Sequence, residues 1–518
     1  MIELDLLFQA FGTIAQSLDI LLMIVIGTLI GIVFGAVPGL SGTVAIALLI
    51  PLSYYLSPIV AISAMYAIQK GGAYGGSITA ILMNLPGTPA AACTVLDGYP
   101  LTLQGKSGKA LQTATLSSGI ADLLSDLVLI FATFRLATLV WAFGPVEITG
   151  ILFFALTLIA SVAGRSPLKG VLSALLGLLF AMIGLDPMSG GQRFLFGLYY
   201  LSEGLPLVPV LTGLFVVSEV LLQVQKSGAA RAERLSSPPP RHPDDNRITA
   251  AEFRGLIPTL LSSWFVGMVI GIIPGLGGAI APWVSYGQAK SFSKNPDEFG
   301  KGSLKGVAAA EAANNAVSGA NLIPLLTLGL PGSTSVALIM SVFMMNGIRF
   351  GPRIFEQHGV LVYGIYVAGL IAILVYTTVG LLFARHIGRL VARIRVSIVF
   401  PIILVLTFIG AYAGANNLTH IVILIVFGAI GFLLRCVDFP LPPLIIAFLL
   451  GERFERAIRQ SVTLTDRGAM VFLTNPVSLV MILLAIILLA YNVYRQAKTR
   501  RSNLSPYVIK EGSGREDK

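Results

Sequence analysis

Apolar runs of helical length recur along the chain, separated by short polar breaks or by clusters of glycine and proline. The stretches 18–37, 137–163, 168–185, 205–224, 360–384, 398–412, 419–434 and 471–494 carry few charges, and a helix needs about 20 apolar residues to cross roughly 30 Å of hydrocarbon. With shorter and polar-interrupted candidates added, the pattern predicts an all-α polytopic membrane protein of about eleven to thirteen membrane segments, some of them broken or re-entrant. One stretch stands apart. KGGAYGGSITAILMNLPGTPAA, residues 70–91, places five glycines and two prolines in 22 positions. Proline and glycine cost a helix about 3 and about 1 kcal/mol, and in lipid the backbone groups they free need partners in protein or in a water-lined cavity. The expectation is a helix broken there for a use.

Composition agrees: 55% of residues are hydrophobic, 12% are charged and mean hydropathy is +0.85. The net charge of +10 does not point to nucleic acid, because the bases gather in 226–254, 385–395, 453–467 and 495–518, as the positive-inside rule arranges them. The basic segment 225–247 and the C-terminus are then cytoplasmic, and the acidic N-terminus is periplasmic. MIELDLLFQAFGTIAQSLD has no base, so it lacks the charged start of a cleavable signal peptide and is expected to remain in the mature protein. Cys93 and Cys436 are too few and too distant in sequence for a disulfide framework or a metal site.

The two halves resemble each other. GIVFGAVPGLSG (31–42) and GMVIGIIPGLGG (267–278) both fit G-x3-G-x2-P-G-L-x-G, LPGT (85–88) is answered by LPGS (330–333), and Asp97-Gly98 by Asn346-Gly347. With an odd number of crossings before a cytoplasmic linker, the second unit enters the membrane upside down, the plan of many secondary transporters. The expected division is a first membrane repeat over 1–224, a cytoplasmic linker over 225–254, a second repeat over 255–470, a C-terminal membrane helix over 471–494 and a basic cytoplasmic tail over 495–518.

Helix breaks are expected at Pro38-Gly39 and Pro274-Gly275 and at the two Leu-Pro-Gly tips. The N–H groups and positive dipole end of a half-helix attract anions, and unwound carbonyls attract Na+. Pro86, Gly87 and Thr88, with Pro331, Gly332 and Ser333, are therefore candidate substrate ligands, joined by Lys70, Tyr74, Ser77, Asn84, Asn314 and Asn315. Glu311, Asn314, Asn315 and Ser318 share one helical face. For ion coupling the candidates are Asn84, Glu311, Asn314, Asp122 and Asp126, with Na+ or H+ as the ion and no other metal or cofactor. Structural readings stand beside these. The G-x3-G spacings at Gly27, Gly31, Gly35 and at Gly267, Gly271 suit close helix packing, Lys70 could pair with Glu311, and Asp122 and Asp126 could lie near the membrane surface or pair with Arg135.

Other chemistry is missing. QGKSGK (104–109) looks like a phosphate loop, but the first glycine it requires falls on Pro100. There is no H-E-x-x-H and no G-x-S-x-G, so the chain does not read as an enzyme.

In these motifs the chain resembles the large membrane subunit of tripartite tricarboxylate transporters, the TctA family, over residues of roughly 18–471. The motifs that carry the resemblance are G-x3-G-x2-P-G-L, YGGSITAILMNLPGTPAA, DGYPLTLQGKSGKAL, IIPGLGG, KNPDEFGKGSLKGVAAAEAANNA and LGLPGS. Ala310, where proline is usual, and Lys70, where neutral residues are common, depart from the pattern. The resemblance implies an importer in the bacterial inner membrane, driven by an ion gradient and taking citrate-like tricarboxylates or other small carboxylates. It also implies a small TctB-like membrane subunit, a periplasmic TctC-like solute-binding protein and, by fold-level analogy, elevator-type alternating access. The alternative is an uncoupled anion channel or a carboxylate exporter.

Overall fold

The computed structural model describes residues 2–162, 166–186, 188–226, 246–275, 277–394, 396–413, 416–464 and 468–508. Helices dominate. In the first half they are α1 (Ile2–Gln16), α2 (Leu18–Ala36), α3 (Gly42–Leu49), α4 (Pro58–Met83), α5 (Ala92–Leu103), α6 (Ser107–Val140), α7 (Pro145–Val162), α8 (Pro167–Ala181), α9 (Leu207–Thr212) and α10 (Ser218–Lys226). The second half holds α11 (Ala250–Ile272), α12 (Gly277–Phe292), α13 (Leu304–Ala320), α14 (Leu322–Leu328), α15 (Thr334–Met345), α16 (Ile354–Gln357), α17 (Gly359–Arg393), α18 (Val396–Ala413), α19 (Leu418–Cys436), α20 (Leu441–Thr463), α21 (Val471–Thr474) and α22 (Pro476–Val508). One two-residue hairpin, Gly184–Leu185 with Gln192–Arg193, is the strand content among the described residues.

Five helical stretches are long and apolar enough to cross a membrane by length and composition: Leu18–Ala36, Leu207–Gln225, Ala250–Ile272, Gly359–Arg393 and Leu418–Cys436. A sixth is formed if Gly468–Thr474 and Pro476–Asn492, bent by 83°, count as one span. By this measure the described residues hold fewer spans than the roughly eleven to thirteen expected. Prolines are part of the reason. The apolar run 137–163 is divided where α6 stops at Val140 and Pro145 starts α7, and the run 471–494 is divided at Asn475-Pro476. The run 168–185 yields only the 15 residues of α8 before the chain turns into the hairpin. Longer helices are set apart by polar side chains that face inward: the 26-residue α4 buries Lys70, and the 34-residue α6 buries Asp122 and Asp126.

The chain gathers into two compact units, Met1–Ala142 with Leu205–Cys436, and Phe143–Gly204 with Val437–Lys518. Each unit draws on both sequence halves, so compactness follows a different line from the repeat. In the first unit α2 lies along α4 and α11 along α13, α17 packs on α4, and α6 packs on α13. The short helices cross over: α3 meets α15, and α12 meets α5. Each half thus uses its first long helix against its own third and lends its short helices to the other half. Thr249 and Glu252 form a reciprocal capping box that starts α11 at Ala250. Most of the expected linker, residues 227–245, and the end of the basic tail, 509–518, lie outside the described residues.

In the second unit α20 packs on α7 and α8, and α22 on α7. Polar side chains hold its hairpin. The Asp186 carboxylate accepts N–H bonds from Met188 and Ser189 at 2.9 Å and pairs with Arg459 at 2.8 Å, while Arg193 bonds Glu455 through its two terminal guanidinium nitrogens at 2.7 and 3.1 Å. The backbone donors at Ser189 and Met188, with Arg459, hold the Asp186 carboxyl well below the usual carboxylate range.

Candidate functional site

Four of the five glycines of 70–91, Gly71, Gly72, Gly75 and Gly76, lie inside a helix and do not break it. α4 runs unbroken from Pro58 to Met83, and the break begins at Asn84. Instead the glycines let two backbones touch. A Cβ at Gly72 would lie 2.8 Å from Gly42 Cα, and Cβ atoms at Gly71 and Gly75 would meet the backbone of Thr28 and Ile32. From the other side, a Cβ at Gly27 would sit 2.8 Å from the carbonyl oxygen of Ala64, and ones at Gly31 and Gly35 would meet the backbone of Ile68 and Gly72. The second half repeats this seam with small side chains: Gly267 packs on Ala313 and Gly271 on Ala320, whose Cβ atom is 2.7 Å from where a Cβ would be. The packing reading of the G-x3-G spacings describes both pairs.

The seams hold the helix ends in place, and those ends match. Asn84 and Gly329 both adopt the left-handed conformation, at φ 59° and φ 64°. After each, Leu85 N–H bonds the Thr79 carbonyl at 3.3 Å and Leu330 N–H bonds the Pro324 carbonyl at 3.0 Å. In both, the bond reaches back six positions past a left-handed residue that ends the helix, a position that favours glycine and tolerates asparagine. Asn84 therefore has a backbone reason to be there, and its side chain is exposed. The Pro-Gly tips then fold back: Gly87 N–H bonds the Gly76 carbonyl at 3.3 Å, and the Gly332 carbonyl accepts from Gly275 N–H at 3.1 Å. Gly39 and Gly275 both turn with positive φ, 86° and 82°, as expected of the Pro38-Gly39 and Pro274-Gly275 breaks; Leu276 of the latter motif lies outside the described residues. The two tips differ in environment, since Pro331 and Gly332 are buried whereas Pro86 is exposed.

Beyond the tips, short helices from the two halves meet in pairs, α3 with α15 at their starts and α5 with α12. Ser41 caps α3 by accepting from Val44 N–H, Ser333 caps α15 by accepting from Val336 N–H, each at 3.4 Å, and the hydroxyls of Thr43 and Ser335 are 2.8 Å apart. Asn321, 2% exposed, donates to Ser333 Oγ at 3.2 Å. In the counterpart pair, Thr88 Oγ1 accepts from Ala91 N–H at 3.2 Å where α5 starts, and Cys93 of α5 reaches the Pro282 carbonyl of α12. Asn314 donates to the Ala73 carbonyl at 3.2 Å beside Gly278 of α12. Aligned backbone N–H groups give such helix starts partial positive charge, which favours an anion.

The remaining candidates fall into two fully buried clusters. In one, Lys70 Nζ lies 2.7 Å from Asp122 Oδ1 and 3.0 Å from Asp126 Oδ1, and Tyr66 and Tyr376 donate to Asp126 Oδ1 and Asp122 Oδ2 at 3.1 Å each. The Lys70 pairing is therefore with these aspartates, one turn apart on α6, and not with Glu311; the aspartates are fully buried in the protein, and their partner is Lys70 and not Arg135. In the other, Glu311 accepts from the hydroxyls of Ser77 at 2.6 Å, Ser118 at 3.0 Å and Thr94. Asn315 donates to Ser118 Oγ at 2.7 Å. Tyr74 belongs to the packing around the first cluster: its hydroxyl pairs with Thr115 at 2.8 Å and its ring stacks on Tyr376 at 5.3 Å.

Lys70, Tyr74, Ser77, Asn315 and Glu311 thus sit in sealed networks, while Asn314, Thr88 and Ser333 sit at the helix starts. Sequence reasoning missed Tyr66, Thr94, Ser118 and Tyr376. Tyr66 was within reach, four residues before Lys70 on one helical face; the others are brought in by α5, α6 and α17. It also missed what Asp97 does. Its Oδ1 accepts from the N–H groups of Gly300, Gly302 and Ser303 at 2.8–2.9 Å, and its Oδ2 from Tyr286 at 2.8 Å, so the Asp-Gly signature clamps α5 to the loop before α13.

Known proteins are similar to this chain in sequence. It is 35% identical over 456 residues to an uncharacterized 52.8 kDa protein in the TAR-I ttuC' 3' region of Agrobacterium vitis, covering 88% of this chain and 89% of that one. A second Agrobacterium vitis relative, an uncharacterized protein in the TAR-II ttuC' 3' region, is 36% identical over 213 residues, covering 41% of this chain and 87% of its own. The transmembrane domain of a cyanobacterium bicarbonate transporter, BicA, is 15% identical with a TM-score of 0.17, over 80% of this chain and 96% of that one, a likeness too slight to bear on the site. Residues 21–446 match the description of one family, and with that match spanning both seams, both tips and both buried clusters, this multi-pass membrane protein belongs to the tripartite tricarboxylate transporter TctA family.

Proposed function

We propose that the chain is the large membrane subunit of an ion-gradient-driven importer of organic carboxylates, citrate-like tricarboxylates among them, in the bacterial inner membrane. Convergence of the capped starts of α3 and α15, joined at Thr43 and Ser335, is the observation that carries the reading: it supplies backbone donors and hydroxyls from both halves where a carboxylate would need them. Ser333, Gly332 and Pro331 belong to that pair of helix starts, and Pro86, Gly87, Thr88 and Asn314 to the counterpart formed by α5 and α12. The matched caps and crossed short helices support two repeats, inserted in opposite senses, that move as an elevator between a periplasmic and a cytoplasmic face. Family membership supports two partners, a small TctB-like membrane subunit and a TctC-like periplasmic binding protein that delivers the carboxylate. The basic segments support a periplasmic N-terminus and a cytoplasmic C-terminus.

Uptake of labelled citrate and a panel of mono-, di- and tricarboxylates tests this, in proteoliposomes holding the chain with its small subunit and binding protein. Uptake that follows an imposed Na+ or pH gradient and stops without the binding protein is expected. Passive flux that never trans-accelerates in counterflow would replace the carrier with a channel, and substrate leaving against its gradient would replace the importer with an exporter.

A further inference from the structure

Three charged side chains share one sealed space in the first unit, and their charges do not cancel. Lys70 contributes one positive charge, Asp122 and Asp126 two negative ones, and all three are 0% exposed. A buried ion that is not neutralised is costly. The hydrogen bonds show which group is left over. Both Asp122 oxygens have donors, Lys70 on Oδ1 and Tyr376 on Oδ2. Asp126 Oδ1 has two, Lys70 and Tyr66, but Asp126 Oδ2 is buried with no partner. A bare carboxylate oxygen in that position is a poor resting state, since it forgoes water and receives no donor in return.

We propose that the Lys70–Asp122–Asp126 cluster is the coupling-ion site of the transporter and that its ion is a proton, carried on Asp126. The inference rests on the ion-driven reading above. With Asp126 as the neutral acid, Lys70 and Asp122 form a balanced pair; release of the proton leaves carboxylate and one net negative charge, which the cluster tolerates only when the transport cycle opens it to water or new partners. A metal cation fits poorly. The ammonium of Lys70 already lies 3.0 Å from Asp126 and repels a second cation. Tyr66 and Lys70 from α4, Asp122 from α6, and Tyr366 and Tyr376 from α17 are the titratable groups that act on Asp126, while α13 brings Gly319 against it. Gly369 of α17 closes the other side, where a Cβ would lie 2.5 Å from Asp126 Oδ2. Lys70 is by this account the positioning residue of the proton site and leaves substrate binding to the helix starts.

Two readouts on the assembled complex test the proposal. In infrared spectra the wild-type minus Asp126→Asn difference should contain a protonated-carboxyl band; loss of an ionised-carboxylate band in its place overturns the assignment whatever the substrate is. In proteoliposomes, wild-type accumulation of labelled citrate should follow an inward proton gradient, and Asp126→Asn should lose its dependence on that gradient. Accumulation that follows only Na+ in the wild type, or a pH response that survives in Asp126→Asn, overturns the proposal. Failure of the wild type to move any carboxylate would instead sink the transport reading, with the infrared result still deciding the protonation state. Should Asp126→Asn fail to assemble, Lys70→Gln supplies the second variant: without the ammonium it should gain a protonated-carboxyl band, and no gain overturns the proposal.

Discussion

Replacing Gly72 by alanine tests the seam that carries the helix starts. An added Cβ would lie 2.8 Å from Gly42 Cα and 3.3 Å from Gly42 N, whereas carbon atoms settle at about 3.5–4.0 Å. The first turn of α3 must then retreat by roughly 1 Å, taking the Ser41 cap and the Thr43 contact with Ser335 along. Overpacking of this kind costs about 1–3 kcal/mol, and alanine in place of a helical glycine returns about 1 kcal/mol. The net expectation is a loss of up to about 2 kcal/mol. Gly12 in α1 provides the control, because nothing lies within 4 Å of its added Cβ, so Gly12→Ala should be neutral or stabilising by up to about 1 kcal/mol. Thermal unfolding of both variants in one detergent, followed by tryptophan fluorescence, reads the difference directly. If Gly72→Ala proves as stable as Gly12→Ala, the seam is looser than described and the glycines need another explanation.

Lys70→Met leaves the buried Asp122 carboxylate without its cation and should lower stability by about 3–5 kcal/mol; Lys70→Met with Asp122→Asn should recover part of it in detergent unfolding titrations, and no recovery would mean the two groups are not coupled. Asn84→Gly should preserve both fold and uptake because the position requires a left-handed backbone, while Asn84→Val should lose about 1–2 kcal/mol; a folded Asn84→Gly protein without uptake would return the side chain to the list of ligands. For Asp186, whose folded carboxyl titrates below its unfolded value near about 4, the stabilisation is present above that value and is lost as pH falls through the depressed one. Acid melts should therefore show a steeper low-pH loss in the wild type than in Asp186→Asn, and parallel curves would count against the Arg459 pairing.

Much of the site could be read before any coordinates, because its signals are local. Pro38-Gly39, Pro274-Gly275 and the two Leu-Pro-Gly tips mark breaks through fixed φ and missing donors, which act within a few residues. The polar face of Glu311, Asn314, Asn315 and Ser318 and the i, i+4 pair Asp122 and Asp126 followed from helical period alone. That Gly71, Gly72 and Gly75 lie inside α4 and the break only after it was not legible, for a physical reason: a glycine that bends a chain and one that admits another backbone have the same composition, and only the neighbour tells them apart.

By itself the sequence determined that this is a helical membrane protein, where several of its helices end, and which family it belongs to, since hydropathy, turn chemistry and long ordered motifs are properties of the chain. Partnership was decided by the tertiary structure alone. Lys70 could have met Glu311 or the aspartates, and Thr94, Ser118 and Tyr376 carried no mark of the carboxylates they serve, because these pairs join residues 52 to 254 positions apart, and only the packing of α5, α6, α13 and α17 around α4 selects among them.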